Sequence, residues 1–477
     1  MKRLNDFTKR LSAQAFMEML PFADAATKDL PLARLMRLSL FQVSVGMTMV
    51  LLTGTLNRVM IVELGVSAAF VAIMVSLPMF IAPLRALIGF RSDTHKSFLG
   101  WRRVPYLAMG AMMIFGGLAI MPFALLNLSP HSQSPLIVGQ VAAGLAFVIA
   151  GAGVHMTQTA GLALAADLSD ERSRPRVIAL LYVMLLVGMA ISALILGQLL
   201  VDVTPKSLVQ IIQGCAIVAV ILNHIALWKQ EPRNMELTRP DRERPTFVEA
   251  WVAYRQEHRP VRLLVAVGLG AAAFGMQDVL LEPYGGEVLN LSVSQTTALT
   301  AFMAGGSLFG FAFAARLLSR GHQACRLAAF GAVIGIGAFI AVLMSGPLQS
   351  ILLFQSAIAV MGFGSGLFAV GTLMAAMSHA TDHTTGLALG AWGAVQATSI
   401  GIAMAFGGLT RDAVKSLAEA GQFGAGFDGS SLGYVVVYNV EIFLLFATLV
   451  AIGPLAAHQR QGERRPIARF GITESPG

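Results

Sequence analysis

The chain is short of charge. Asp, Glu, Lys and Arg make up 13% of its 477 residues, against roughly 25% in soluble globular domains. That shortage excludes an ordinary water-soluble fold, and a mean hydropathy of +0.69 agrees. Cysteine is scarcer still, with Cys215 inside an apolar run and Cys325 at a loop edge. Two thiols with nothing else to pair offer neither a disulfide framework nor a metal centre. There is no P-loop, no G-x-S-x-G and no His-rich metal motif, so no enzyme is expected. The alternation of polar and apolar residues that marks a membrane β-barrel is missing as well. The first 37 residues carry charge throughout, with no apolar core and no A-x-A site, so no cleavable signal peptide is expected.

What the chain has is long apolar runs such as VQIIQGCAIVAVILNHIALW. A hydrocarbon core takes about 20 such residues per helix, and only a helix satisfies its own backbone in lipid. Twelve spans are expected, near 38–57, 66–90, 104–127, 136–164, 177–201, 207–228, 260–281, 293–318, 326–345, 348–374, 386–408 and 434–457. Lys and Arg then divide sharply. The termini, the even-numbered loops and the linker hold 29 of the 34; the opposite side holds Arg58, Lys206, Arg411 and Lys415; Arg85 lies within a span. The positive-inside rule places both termini in the cytoplasm of a multi-pass protein. The net charge of +8 is therefore a feature of the cytoplasmic face that attracts anionic lipid, and no nucleic-acid partner is expected.

A charged segment, KQEPRNMELTRPDRERPTFVEAWVAYRQEHR, divides the spans six and six. The expected organisation is a cytoplasmic N-terminal segment (1–37), a six-helix bundle (38–228), a linker (229–259) with a short surface helix in FVEAWVAY, a second bundle (260–457) and a cytoplasmic tail (458–477). The loop after the second span reads GFRSDTHKSFLGWRRVP. Gly89 allows close helix approach, Asp93 can cap a helix start or hold an arginine, and Arg102 and Arg103 follow Gly100 as headgroup anchors for the next helix. Gly310 and Gly321 repeat the Gly89–Gly100 spacing, with Ala314 where Asp93 would be, as a duplicated fold would leave. The layout and this loop resemble the major facilitator superfamily, with Lys96 in place of a usual Gly and Trp101 in place of a basic residue.

The stretches LNRVMIVELGV, ALIGFRSDTHKSFLGWRRVPY, IMPFAL and QDVLLEPYGGEVL carry a closer likeness. They resemble the PucC/LhaA family of purple phototrophic bacteria, the bacteriochlorophyll-delivery members of the facilitator fold. Within it, RLSLFQVSVGM and LTGTLNRVMIVELGVSA are nearer to the LH1-assembly branch, LhaA. The resemblance implies an inner, intracytoplasmic membrane location and a role in assembling LH1 or LH2. It implies bacteriochlorophyll as a transient cofactor. The implied partners are antenna polypeptides, the reaction centre and pigment-synthesis enzymes. A proton-coupled secondary transporter and a pigment-free scaffold are the alternatives.

Charges within a membrane default to functional hypotheses. Arg58 and Glu63, about 140° apart on a helix, belong to the family stretch at the outer end of the first span; boundary snorkelling is the plainer role. Arg85 follows Pro78 and Pro83, which break local helix bonds; snorkelling toward the loop is the plain reading here too. Asp278 and Glu282 are four apart beside Gln277, before Pro283 and Gly285–Gly286 break the helix, and Glu441 lies deep in the last span near Asn439. Pigment ligation needs one neutral axial donor in an apolar pocket. GAGVHMTQTAGLALAAD offers His155 and Gln158 on one face, with Gly151, Gly153 and Gly161 leaving room for a flat ring; a polar pair serving a neighbouring helix is the plainer alternative. Gln140 and His224 are weaker candidates, and His379 and His383 fall in a loop. Glycines in MGFGSGLFAVGTLM read as helix-packing positions. A fluorescent-protein reporter fused to the C-terminus should fold and fluoresce, and alkaline phosphatase fused there should stay inactive; the reverse pair would invert the orientation.

Overall fold

A computed structural model describes residues 30–462, with the exception of 57–58, 61–63, 65, 67, 129–134, 171–172, 200–203, 240, 242–243, 257–259, 292, 379–383 and 421–428. The regular elements of the described residues are helices. Eleven are long and apolar enough to cross a membrane, and one helix pair bent by 90° brings the total to as many as twelve. The first half comprises α1 (Leu32–Val50), α2 (Ala68–Ile81), α3 (Leu84–Asp93), α4 (Val104–Leu126), α5 (Leu136–Leu168), α6 (Arg174–Leu199) and α7 (Pro205–Leu227). The linker carries α8 (Met235–Thr238) and α9 (Phe247–Gln256). The second half comprises α10 (Pro260–Met276), α11 (Leu281–Glu287), α12 (Val293–Ser319), α13 (Ala324–Ser345), α14 (Ile351–Ser378), α15 (Thr385–Glu419) and α16 (Gly429–Gly462).

Several boundaries differ from the apolar runs. α1 starts at Leu32, so Arg34 and Arg37 ride on its first turns. α15 continues past 408 and carries Arg411 and Lys415 on the helix. The second span is two helices, because Pro83 has no N–H and the Ala82 amide turns back to the Met79 carbonyl at 3.1 Å. The seventh span also breaks early. α10 stops at Met276, Gln277–Val279 form a 3-10 turn, and α11 restarts at Leu281 with Pro283 in its first turn, where proline is tolerated. Asp278 and Glu282 therefore do not share one continuous helix face, and Gly285–Gly286 lie inside α11 instead of ending the span.

The packing repeats. In the first half α1 contacts α6 and α7, α2 contacts α5, and α4 contacts α5 and α7. In the second, α10 contacts α15 and α16, α12 contacts α14, and α13 contacts α14 and α16. Each pair has its counterpart in the same order. The halves meet through α3 on α15 and α6 on α12, again counterparts. Gly100 and Gly321, equivalent in the repeat, both adopt left-handed backbone, with φ of +78° and +85°. Along α14, a Cβ at Gly362, Gly364, Gly366 or Gly371 would strike the backbone of α12 or α13, so these glycines serve close packing.

The surface helix in the linker is real. Thr246 and Glu249 form a capping box at its start, with bonds of 2.8 and 3.3 Å. Phe247 packs edge-on to Phe90 at 5.4 Å, and Trp251 stacks on Phe247 at 6.3 Å. Ala250 and Tyr254 are buried, whereas Val248 and Val252 face outward, as suits a helix lying along a membrane surface.

Gly89 holds the two halves together by having no side chain. A Cβ there would run into the Gly386 carbonyl on α15, and backbone cannot yield as a flexible side chain does. Gly89→Val should therefore cost about 1–3 kcal/mol by overpacking and lengthen a spin-label distance measured between the linker-side ends of α3 and α15. An unchanged distance would show that this contact does not set the separation.

Candidate functional site

Three groups of residues bear on function, and the first lies on the linker side. Asp93 ends α3 with a fully buried side chain, ion-paired to the equally buried Arg103 at 2.5 Å. Its two oxygens accept the Gly386 and Leu387 amides of α15 at 3.0 and 2.8 Å. One carboxylate thus caps a helix of the other half and holds an arginine, both of the roles its position allowed. Arg103 also pairs with Asp167 at 2.9 Å and donates to the Ser92 hydroxyl at 2.7 Å. It is no headgroup anchor: its three guanidinium nitrogens face Asp93, Asp167 and Ser92 inside the protein, which is where a guanidinium fork is worth most. Arg102 shares Asp167 at 2.9 Å. Glu231 of the linker accepts the Arg102, Arg103 and Val104 amides at 2.7–3.0 Å, covering the otherwise open start of α4. Trp101 receives the Arg233 guanidinium over its ring at 5.1 Å. Burial lowers the His95 imidazole below its ordinary value; Glu231 opposes the shift and Arg244 adds to it.

Asp167, Glu231 and the glycines of α15 escaped the sequence analysis. The signal for the last was present: Gly386, Gly390 and Gly393 recur at helical spacing, and a Cβ at each would collide with α3. Asp167 and Glu231 carry no local signature, since their partners lie 64 and 129 positions away.

The second group is inside the membrane. Arg85 is 4% exposed, so it does not snorkel. Its guanidinium lies against Gly393 of α15 and donates from Nε to Thr159 of α5 at 3.1 Å. His155 also faces this break in the second span: its Nε2 meets the Pro78 carbonyl at 3.0 Å, which the turned-back Ala82 amide leaves open. With Nε2–H donating there, Nδ1 holds the lone pair, buried and unpartnered. The space expected beside it for a flat ring is filled. A Cβ at Gly151 would meet Pro78, one at Gly153 would meet the α4 backbone, and one at Gly161 would meet the Phe41 ring. These glycines admit neighbouring helices and leave no slot for a macrocycle. Gln158 and Gln140 are half-buried. His224 is exposed at the linker end of α7, with Trp228 at 5.7 Å. Arg58, Glu63, His379, His383 and the Glu282 side chain lie outside the described residues.

The third group is a lateral groove. A cavity of about 720 Å³ opens between α10, α15 and α16, walled by Leu264, Gly268, Ala272, Val395, Phe406 and Phe443. A second, of about 480 Å³, adjoins it through Val395 and Ser399 and reaches Pro83, Phe247 and Trp251. Thr398 lines the second cavity, and its hydroxyl is buried without a partner. The groove is apolar with a few hydroxyls at one end, the composition of a site for a flat, apolar molecule bearing an oxygen acceptor. No histidine lines either cavity, so the oxygens of Thr398 and Ser399 are the donors available to a hard cation such as magnesium. A bacteriochlorophyll fits the groove in apolar character and donor chemistry; it does not fit beside His155.

This fold is that of the major facilitator superfamily, a polytopic bundle of two repeated halves. A bacterial homologue of the iron transporter ferroportin, solved in an outward-facing state, matches with a TM-score of 0.70 over 89% of this chain and 99% of its own, at 14% identity. Residues 55–460 match the family model described as PUCC protein, and the chain belongs to that family. It is 52% identical to a Rhodobacter capsulatus protein described as an uncharacterized protein in the puhA-bchM intergenic region, covering 98% of this chain and 99% of that one. It is 53% identical to Protein PucC of Rhodovulum sulfidophilum over 87% of this chain and 93% of the relative.

Removing the Asp93 carboxylate strands a buried guanidinium and two helix-end amides. Asp93→Ala should cost about 3–5 kcal/mol, whereas Arg102→Ala, at the more open edge, should cost about 1 kcal/mol or less. Unfolding midpoints in one detergent check the order; equal losses would refute it.

Proposed function

We propose that this protein is an assembly factor for a bacterial light-harvesting antenna complex, without enzymatic activity, working in the inner, intracytoplasmic membrane. Membership of the PUCC family supports involvement in antenna assembly. The observation that carries the finer reading is the lateral groove. It opens sideways between α10, α15 and α16, as an apolar pigment arriving from the bilayer requires, and its hydroxyl end lies beside the surface helix α9. In this reading the walls exclude water from the pigment, Thr398 and Ser399 orient it, and Phe247 and Trp251 close the linker-side end. The pigment itself supplies a magnesium with one open axial position. Bacteriochlorophyll is the cofactor, held in transit, and antenna polypeptides are the partners that receive it, with the reaction centre and pigment-synthesis enzymes as further associates. LH1 is the preferred client, on the LhaA-like stretches at 37–47 and 52–68.

A second reading, a proton-coupled secondary transporter, is favoured by one observation, the buried and unpartnered Glu441. A pigment-free scaffold is the third reading.

Gently purified protein, freed of reaction-centre and antenna polypeptides, should carry bacteriochlorophyll or a late precursor by absorption and mass spectrometry. Ala272→Trp, which fills the groove, should remove at least about nine-tenths of that pigment from protein that remains folded, while His155→Ala and Gln158→Ala should retain it. Loss in the latter two with retention in the first would move the site to α5. A colourless protein that still holds antenna subunits would support the scaffold.

A further inference from the structure

The break in the seventh span creates a polar site that neither the groove nor the linker-side cluster uses. Where α10 ends, Gln277 is fully buried, with its Oε1 unpartnered and its amide nitrogen spent on Asp278 and the Phe274 carbonyl. Asp278 reaches the protein surface. Across from it, Glu441 of α16 is 0% exposed, and neither carboxyl oxygen has a hydrogen-bond partner. Tyr438, one turn earlier on the same face, is also fully buried with its hydroxyl unpartnered. Asp278 and Tyr438 both lie within electrostatic reach of Glu441.

The charged side chains of the packed elements lie elsewhere: Lys415 of α15 acts on Glu287, and Arg326 stands in the first turn of α13. On α10, Arg262 donates to the Ala451 and Val450 carbonyls at the far end. On α15, Arg411 is held by Glu287 of α11 and by Asp412, at 2.6 and 2.7 Å, with the Tyr434 hydroxyl at 2.8 Å. Tyr284 of α11 bonds the Val342 carbonyl of α13 at 3.1 Å. Burial raises the Glu287 carboxyl, but the Arg411 guanidinium outweighs it and holds Glu287 below its ordinary value, so that pair stays charged and closed on itself. Among the described residues no cation faces Glu441. A carboxylate stripped of water and counter-charge costs far more than its neutral acid. Interrupted membrane helices are also where transport proteins place their coupling ions.

We propose that Glu441, with Asp278 at its opening and Gln277 and Tyr438 as its walls, is a proton-binding site. Glu441 carries the proton within the bundle. On release the Glu441 side chain turns to bring its O–H within hydrogen-bond reach of the Asp278 carboxylate, the O–H bond breaks, and the proton passes to Asp278 and from there to water; uptake runs the same steps in reverse. Binding and loss of the proton change the charge at the junction of α10, α11 and α16, and so bias how that junction packs.

Dicyclohexylcarbodiimide tests the site on the purified full-length protein. It adds across a protonated carboxyl in an apolar setting and leaves a stable N-acylurea with no by-product. An adduct on the peptide containing Glu441 is expected at about pH 6, at least about tenfold weaker at about pH 9. It should be absent in Glu441→Gln and retained in Asp278→Asn. In parallel, the wild-type unfolding midpoint should fall between these pH values as an unpaired charge is forced into the core, while that of Glu441→Gln stays flat. Labelling that does not change with pH would overturn the proposal, as would a folded protein giving neither the adduct nor the midpoint difference. Protection by sodium relative to choline would also overturn it, by making the site one for a metal cation.

Discussion

Everything on the linker side hangs on one buried carboxylate. Asp93 belongs to α3, yet its oxygens are filled by the first amides of α15 and by Arg103. The helix terminus needs acceptors and the guanidinium needs a counter-ion. Both needs are met inside the protein, where the Asp93 and Arg103 side chains are fully buried. The two halves are therefore joined here by an electrostatic clasp whose parts are costly to expose one at a time. Glu231 and Arg233 extend the clasp into the linker, so the segment between the halves is itself tied to the first half.

That arrangement gives the repeat a built-in asymmetry. Most helix pairings of the two halves correspond, the packing of α15 on α16 being without such a counterpart in α6 and α7, and Gly100 and Gly321 share their left-handed backbone. The chemistry does not correspond. Ala314 sits buried where the second half would carry its own acid, and Tyr182, Val183 and Leu186 of α6 pack there against Phe311 of α12. The seventh span is broken by a 3-10 turn, and the second span at Pro83, where the Pro78 carbonyl left open by the turned-back Ala82 amide is taken up by His155. Each break leaves backbone or side-chain polar groups inside the membrane, and each is where this chain keeps its unusual residues, Arg85 in one case and Glu441 in the other.

Much of this was legible before any coordinates. Apolar runs of membrane length, the one-sided distribution of Lys and Arg, and the Gly89–Asp93–Gly100 spacing lead directly to a two-half helical bundle with a charged loop. Helix ends were harder. Hydropathy does not register a helix that continues beyond the apolar core, as α15 does through Arg411 and Lys415. The site was legible only in part. A histidine amid glycines looks the same in sequence whether the glycines make room for a ligand or for another helix, and around His155 it was the helix. The groove has no signature because Leu264, Val395 and Phe443 differ from other apolar residues only in what stands opposite them. Glu441 stood out as an acid in an apolar run, but its want of any partner is a property of three dimensions.

The surface helix α9 has a consequence for how the groove is filled. It lies at 90° to α10 and sets Phe247 and Trp251 at one end of the cleft between α10, α15 and α16. In the proposed reading, an occupant arrives by sliding within one leaflet. Its supply is set by its number per unit area of membrane and by lateral diffusion, and the volume concentration in the surrounding water has little bearing. On that reading, a molecule almost insoluble in water is delivered quickly, provided its source and its destination share the same patch of membrane.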